Sequence, residues 1–217
     1  MYQYLKTNKA VMENLNIETP SVTEVEKYLK IWHESDLPEY EKYRQQENIV
    51  VKLFREQYPK NTKLDEVLIK VCVLNDFYST NIRDVYPVAL NIVKQDIDGK
   101  LANKNIDIID DIARVTINDK KWRYYSFATK YCSHHCPDDY PIYDSFVSKV
   151  LTYFKEEFYK SGIFDLKNYK SFKEVILEFR KYYELEKFSL RELDLYLWIL
   201  GKKYFSPPKN DATTENE

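Results

Sequence analysis

The sequence predicts an all-α fold, and three observations carry that expectation. In 217 residues there are only 3 glycines and 8 prolines, so few positions suit the positive-φ turns that hairpin-rich sheets need. Ser-x-x-Glu pairs recur at Ser21/Glu24, Ser171/Glu174 and Ser189/Glu192, and each such capping box can satisfy two otherwise orphaned backbone donors at a helix start. Between these marks the apolar residues recur at three- and four-residue spacing, the period of a helix face.

Helices are therefore expected at 21–34, 39–57, 64–78, 82–96, 106–114, 119–134, 143–160, 171–184 and 189–204. Pro20, Pro38, Pro59, Pro137 and Pro141 stand near segment ends, where a missing N–H costs least, and Pro87 falls near the first turn of the fourth segment. In the last segment Leu190, Leu193, Leu197 and Leu200 form one stripe that Tyr196 and Trp198 widen, which marks a core helix. Residues 1–205 are expected to fold as one helical domain with two lobes. The stretch after it, SPPKNDATTENE, has almost no apolar content, so residues 206–217 are expected to be a disordered tail.

Composition narrows the function classes. Lys and Arg total 33 against 35 Asp and Glu, a formal charge of −2. This removes the global attraction typical of non-specific nucleic-acid binders and leaves room only for a local basic patch. Three cysteines, Cys72, Cys132 and Cys136, are too few for a disulfide scaffold, and an odd count points to reduced thiols in a cytoplasmic protein. No apolar run approaches the ~20 residues that cross a bilayer, and the N-terminus lacks the apolar core of a signal peptide, so a soluble protein with no membrane partner is expected. The 20 tyrosines are read chiefly as helix-packing residues with stacking faces to spare.

Chemistry concentrates in residues 120–151. A basic cluster, Lys120, Lys121 and Arg123, leads into the small residues Ser126, Ala128 and Thr129, and then to Lys130. A proline-bounded loop follows, and Ile142-Tyr143-Asp144-Ser145 opens the next helix with Asp144 at the N-cap position. This segment resembles the catalytic region of the helix-hairpin-helix DNA glycosylases, the superfamily that includes the 8-oxoguanine glycosylases. Ser126-Phe-Ala-Thr-Lys-Tyr-Cys is similar to that family's Gly-Val-Gly-x-Lys-x-Ala hairpin, with Ser126 and Ala128 in place of the glycines. Tyr143-Asp-Ser-Phe-Val is similar to its Val-Asp-x-His-Val segment. A preceding helix with Val73-Leu-Asn-Asp-Phe-Tyr-Ser-Thr-Asn-Ile82 and a closing one with Leu195-Tyr-Leu-Trp-Ile-Leu-Gly201 add to the likeness.

The resemblance implies a two-lobed all-α fold acting on damaged or modified DNA without a cofactor. Lys130 becomes the nucleophile and Asp144 the carboxylate that stabilises charge on the sugar. A desolvated amine can lose its proton near neutral pH and attack the anomeric carbon, forming a Schiff base after the base departs. Trp122, Phe127, Tyr131 and Tyr143 are the candidates to hold an extruded base. Lys120, Lys121, Arg123 and Ser126 would meet DNA, and Asn75 or Asn81 would fill the vacated duplex space. Two other constellations compete. Cys132, His135 and Cys136, with His134 and the distant His33, suggest a weak zinc site, and adjacent thiol and imidazole groups suggest a Cys-His nucleophile. The alternative to an enzyme is a non-catalytic helical module that binds protein or nucleic acid through its tyrosine-rich surface.

Overall fold

The computed structural model describes residues 15–207. Helix α1 (Val22–Glu34) starts where Ser21 accepts a hydrogen bond from the Glu24 N–H, and it buries Val25, Tyr28, Leu29 and Trp32 along one stripe. After Pro38 at its first turn, α2 (Pro38–Lys52) runs directly into a π-helical turn (Leu53–Gln57) that buries Leu53 and Phe54. Next come α3 (Leu64–Phe77), α4 (Val85–Lys94) and two single-turn helices, α5 (Ile97–Ala102) and α6 (Ile108–Ala113). A two-stranded antiparallel hairpin follows, β1 (Arg114–Ile117) with β2 (Lys120–Arg123), and then α7 (Tyr125–His135), α8 (Ser145–Phe158), α9 (Tyr169–Tyr182) and α10 (Leu190–Phe205). The fold is mostly helical, as expected. One continuous apolar cluster runs from Ile17 to Leu200.

The last helix organises the half of the molecule that holds the site. It begins at Ser189 with a complete capping box to Glu192, buries Leu190, Leu193, Leu197 and Leu200, and packs on α8 and α1. Gly201 marks the crossing with α8. A Cβ there would lie 2.7 Å from both the Cβ and the carbonyl oxygen of Phe146, so only glycine lets the two helices approach so closely.

Three expectations are corrected. The segment 119–134 is not one helix: its first part is the strand β2, joined to β1 by Asn118 and Asp119 with φ of 47° and 60°. Asn and Asp tolerate the left-handed region well enough to close a two-residue hairpin without glycine. Glycine count therefore underestimates turn capacity here: non-glycine residues at 79, 81, 96, 104, 118, 119 and 184 all have positive φ. The segment 82–96 starts later, at Val85 capped by Asp84, and a left-handed Asp96 separates it from α5. Finally, Ser171 is not an N-cap. Asn168 caps α9 by accepting the Ser171 N–H, while the Ser171 hydroxyl donates to the Ile163 carbonyl and accepts from the Asp165 N–H, pinning the preceding loop. Of the expected tail, residues 208–217 lie outside the described residues; the Ser206 N–H closes the end of α10 on the Lys202 carbonyl.

Candidate active site

The small residues at the start of α7 have a packing role that explains the position of Lys130. The loop from Cys136 to Asp144 folds back along this helix. Thr129 Oγ1 accepts the Tyr143 N–H at 3.1 Å, and the Ser126 hydroxyl donates to the Tyr143 carbonyl at 3.1 Å. One turn on from Ser126, the Lys130 Nζ donates to Ser126 Oγ at 2.7 Å, and it reaches the Tyr143 carbonyl and Asp144 Oδ2 only at 3.5 Å. Asp144 caps α8 as expected, Oδ1 accepting the Phe146 N–H at 2.8 Å. Its two oxygens thus divide between the helix end and the lysine.

Lys130 and Asp144 line one cavity of about 310 Å³. Its walls also carry Glu47 from α2, Tyr78 at the end of α3, and Arg191 and Asp194 from α10. Aromatic groups form much of the remaining lining: Trp32, Tyr43, Phe77, Phe146 and Trp198. Trp198 meets Tyr43 and Trp32 edge to face, with centroids 5.1 and 6.3 Å apart. A partly apolar hollow with few converging polar groups is the usual form of a small-molecule or base pocket.

The electrostatics of the cavity separate its charged groups into distinct roles. Lys130 is only 4% exposed; burial lowers its pKa, and the nearby Asp144 carboxylate opposes that shift. Burial likewise pushes Asp194 up to about 7, against the pull of the Ile142 N–H and Arg191. Asp194 Oδ2 accepts the Ile142 N–H at 2.8 Å, whereas Oδ1 has no hydrogen-bond partner among the described residues. Arg191 and Glu47 form a tight pair at 2.5 Å, and the Tyr78 hydroxyl donates to the other Glu47 oxygen at 3.0 Å. Burial alone would raise Glu47, but Arg191, His134 and the Tyr78 hydroxyl together outweigh it and hold the carboxylate below its ordinary value. Glu47 is thus engaged at both oxygens, and beyond the Glu47–Arg191 pair Lys130, Asp144 and Asp194 are the other charged side chains of the wall.

Other expected site residues lie elsewhere. Phe127 and Tyr131 are sealed in the core, the Tyr131 hydroxyl donating to Asn61 Oδ1 at 2.6 Å. The Tyr143 ring packs against Tyr125, Phe172 and the Lys167 amine, and only its backbone faces the lysine. Trp122 sits on β2 between the Arg83 guanidinium and Tyr124. None of these four lines the cavity; Trp32, Tyr43, Phe77, Tyr78, Phe146 and Trp198 take that place. Sequence proximity to Lys130 and Asp144 pointed to these four, but Phe127 and Tyr131 stand on other faces of α7, and Trp122 and Tyr143 lie off it, on β2 and in the loop before α8.

The expected DNA contacts are also redistributed. Lys120 and Lys121 are exposed on the hairpin, but Arg123 is engaged by Asp110 at 3.0 Å and by the Lys167 carbonyl at 2.8 Å. Ser126 spends its hydroxyl on Lys130 and Tyr143. Asn75 clamps the turn after α3, accepting from the Thr80 hydroxyl and the Ile82 N–H, and Asn81 is an exposed left-handed residue of that turn. Residues 126–132 are helical throughout and follow a β-hairpin, whereas the resemblance aligned them with a turn between helices.

No three His, Cys, Asp or Glu side chains among the described residues come together to hold a metal ion. Cys132 is buried, and burial drives its thiol pKa well above the ordinary value, so it packs as an apolar group. His135 Nε2 lies 3.2 Å from Asn61 Oδ1, and buried His134 is held neutral, its pKa pushed down to about 3. No helix among the described residues is long and apolar enough to cross a membrane.

Comparison with known proteins adds a family. A family model described as the HI_0787_N N-terminal domain matches residues 24–139, over half of the chain. The chain belongs to this family. An uncharacterized protein of Haemophilus influenzae is 44% identical over 153 residues, covering 69% of this chain and 73% of the relative. No solved structure matches the chain. The matched family region contains Lys130 on α7 and the Glu47 and Tyr78 walls, while Asp144 and the α10 groups lie beyond it.

Asp194, Arg191 and Glu47 escaped the sequence reading. Asp194 did leave a trace: it stands inside the leucine stripe, four residues after Leu190 and three before Leu197, where a carboxylate has no place unless something uses it. Glu47 and Arg191 carry no such mark, since each is one charged residue among many on a helix.

Proposed function

We propose that this protein cleaves an N-glycosidic bond in damaged or modified nucleic acid, with an associated lyase step through Lys130. One observation carries the reading: a nearly desolvated lysine and a carboxylate held 3.5 Å away open onto the same aromatic-lined cavity. Burial favours the neutral amine, the form with a lone pair to donate. An unpaired base rotated out of its stack would enter the hollow and rest against Trp198, Tyr43 or Phe146.

The step balances without a cofactor. The Nζ lone pair forms a bond to C1′ as the glycosidic C–N bond breaks. The bonding pair leaves with the base, which takes up a proton. The new secondary ammonium gives up a proton, and as its lone pair opens the sugar ring, with O4′ taking up a proton from water, the amine becomes a protonated Schiff base. Loss of a C2′ proton then expels the 3′ phosphate, and water frees Lys130. Asp144 stabilises the positive charge that develops on the sugar while its other oxygen stays fixed by the Phe146 N–H.

Borohydride trapping on duplex oligonucleotides carrying abasic sites or a panel of oxidised bases tests the proposal. The expected result is a covalent adduct that Lys130→Gln abolishes. Absence of any Lys130-dependent adduct across the panel would overturn the reading and leave the non-catalytic binding module in its place.

A further inference from the structure

Besides Glu47, which Arg191 and the Tyr78 hydroxyl engage, the cavity wall carries two carboxylates in opposite situations. Asp144 has both oxygens engaged, one by a helix N-terminal N–H and the other by Lys130. Asp194 is 3% exposed, is anchored through Oδ2 to the Ile142 N–H, and leaves Oδ1 without a partner. The charged group nearest it on its own helix, Arg191, is committed to Glu47. A buried carboxyl with one oxygen bound and one vacant is costly as a spectator, because the unmade bond is not replaced by water. Asp194 stands on the cavity wall with this enclosed oxygen unpaired.

We propose that Asp194 is the acid of this site: its carboxyl O–H donates to the departing base while Lys130 attacks the sugar. The inference rests on the base-excision reading above. The Asp194 O–H bond breaks and its proton goes to the base as the base takes the glycosidic bonding pair. Attack by Lys130 leaves a secondary ammonium on Nζ, and that group returns one proton to the Asp194 carboxylate. Nothing is consumed, and the acid is reset within the cycle.

The groups that set its proton affinity come from several elements. Lys130 on α7 and Arg191 on α10 favour the carboxylate, as does the Ile142 N–H; burial outweighs them, with Asp144 at the start of α8 adding to it, and pushes Asp194 up to about 7. Tyr169 of α9 senses the same charge, and Glu47 of α2 with the Tyr78 hydroxyl of α3 neutralises Arg191. An acid with that affinity is protonated often enough at neutral pH to act and weak enough to be refilled. The division of labour between two carboxylates follows from their surroundings.

Asp194→Asn is the informative variant, since an amide oxygen still accepts the Ile142 N–H. Two measurements on the full chain decide the matter. Carboxyl-carbon NMR of the 13C-aspartate-labelled protein should show one group titrating near pH 7 that vanishes in Asp194→Asn. Single-turnover release of the oxidised base that wild type removes fastest should fall about 10²-fold or more in the variant at pH 6, with its decline toward alkaline pH lost. Borohydride trapping on a preformed abasic site, where no base departs, should persist in the variant. If every aspartate titrates below pH 5, or base release is unimpaired, the acid role falls and base excision stands. Loss of the abasic-site adduct together with base release would reduce Asp194 to a structural residue. If wild type yields no Lys130-dependent adduct at all, base excision itself fails and takes this role with it.

Discussion

Among the described residues two lysines are buried, and they are buried differently. Lys70, on α3, is fully enclosed and donates to the Tyr58 carbonyl at 3.0 Å, the Lys60 carbonyl at 2.9 Å and Asn61 Oδ1 at 2.6 Å. Three acceptors at short range match the three N–H bonds of an ammonium. Lys130 has one short bond, to Ser126, and two at the 3.5 Å limit. Desolvation lowers the pKa of each, Lys70 to about 8. Burial and a shifted pKa therefore do not mark a reactive lysine. What distinguishes Lys130 is loose bonding, a carboxylate neighbour and a cavity beside it; Lys70 ties a loop to the helix that carries it and does not line that cavity.

The largest expected effect breaks the comparison on activity. Lys130→Gln should reduce the trapped adduct to background, while Lys70→Met should retain it in the fraction that stays folded; adduct formation that follows Lys70 instead would reverse the assignment of the two residues. Next comes Asp144→Asn, for which the adduct should form about 10²- to 10⁴-fold more slowly in single-turnover trapping. Asparagine caps a helix as well as aspartate does, so the urea midpoint should move little. A large loss of stability with no change in rate would mean that Asp144 serves α8 alone. On stability the order of the lysines inverts. Lys70→Met strips a donor from two loop carbonyls and from Asn61, a loss of about 1–3 kcal/mol by urea denaturation, and Lys130→Gln should cost less because two of its three partners lie at 3.5 Å.

The same contrast shows what the sequence could reveal. Lys130 and Asp144 were legible because order and local setting pointed to them: small residues before the lysine, and an N-cap position for the acid. Helices with strong stripes or caps, such as α1, α8 and α10, were legible for the same reason, since capping and periodicity are local. The hairpin was hidden because Asn118 and Asp119 supply positive φ without glycine. Most of the cavity was hidden for a different reason. Trp32, Glu47, Tyr78 and Arg191 come from α1, α2, the end of α3 and α10, and their meeting depends on packing angles that no local pattern encodes. Of the aromatics near Lys130 in the chain, Phe127 and Tyr131 turned out to be core, because adjacency in a helix distributes side chains around its axis. Even Lys70, an inward-facing charge between Val67, Val71 and Leu74, announced itself only as an interruption of an apolar stripe.

The smallest effect is the pH dependence of stability, and it compares the two lysines on one scale. A lysine with a lowered folded-state pKa binds fewer protons when folded than when unfolded. Wherever the unfolded chain holds more protons, stability rises with pH. For Lys70 the window opens near its folded value of about 8 and closes near the unfolded lysine value of ~10.4. The buried Cys132 thiol, which keeps a proton the unfolded chain begins to lose at about pH 8.5, pulls the urea midpoint the other way. Read as the difference between wild type and variant, the lysine contribution raises the midpoint between pH 8 and pH 9.5. Measurement should stop there, because tyrosines such as Tyr78 and Tyr125, pushed up by burial, retain protons that the unfolded chain begins to lose near pH 10 and so reverse the slope. Lys70→Met should flatten the climb. Lys130→Gln should flatten it as well, since burial shifts that amine in the same direction, and the double variant should be flatter than either. A slope untouched by Lys130→Gln would mean that Asp144 restores to the amine all that burial removes, leaving it charged at neutral pH and unable to attack.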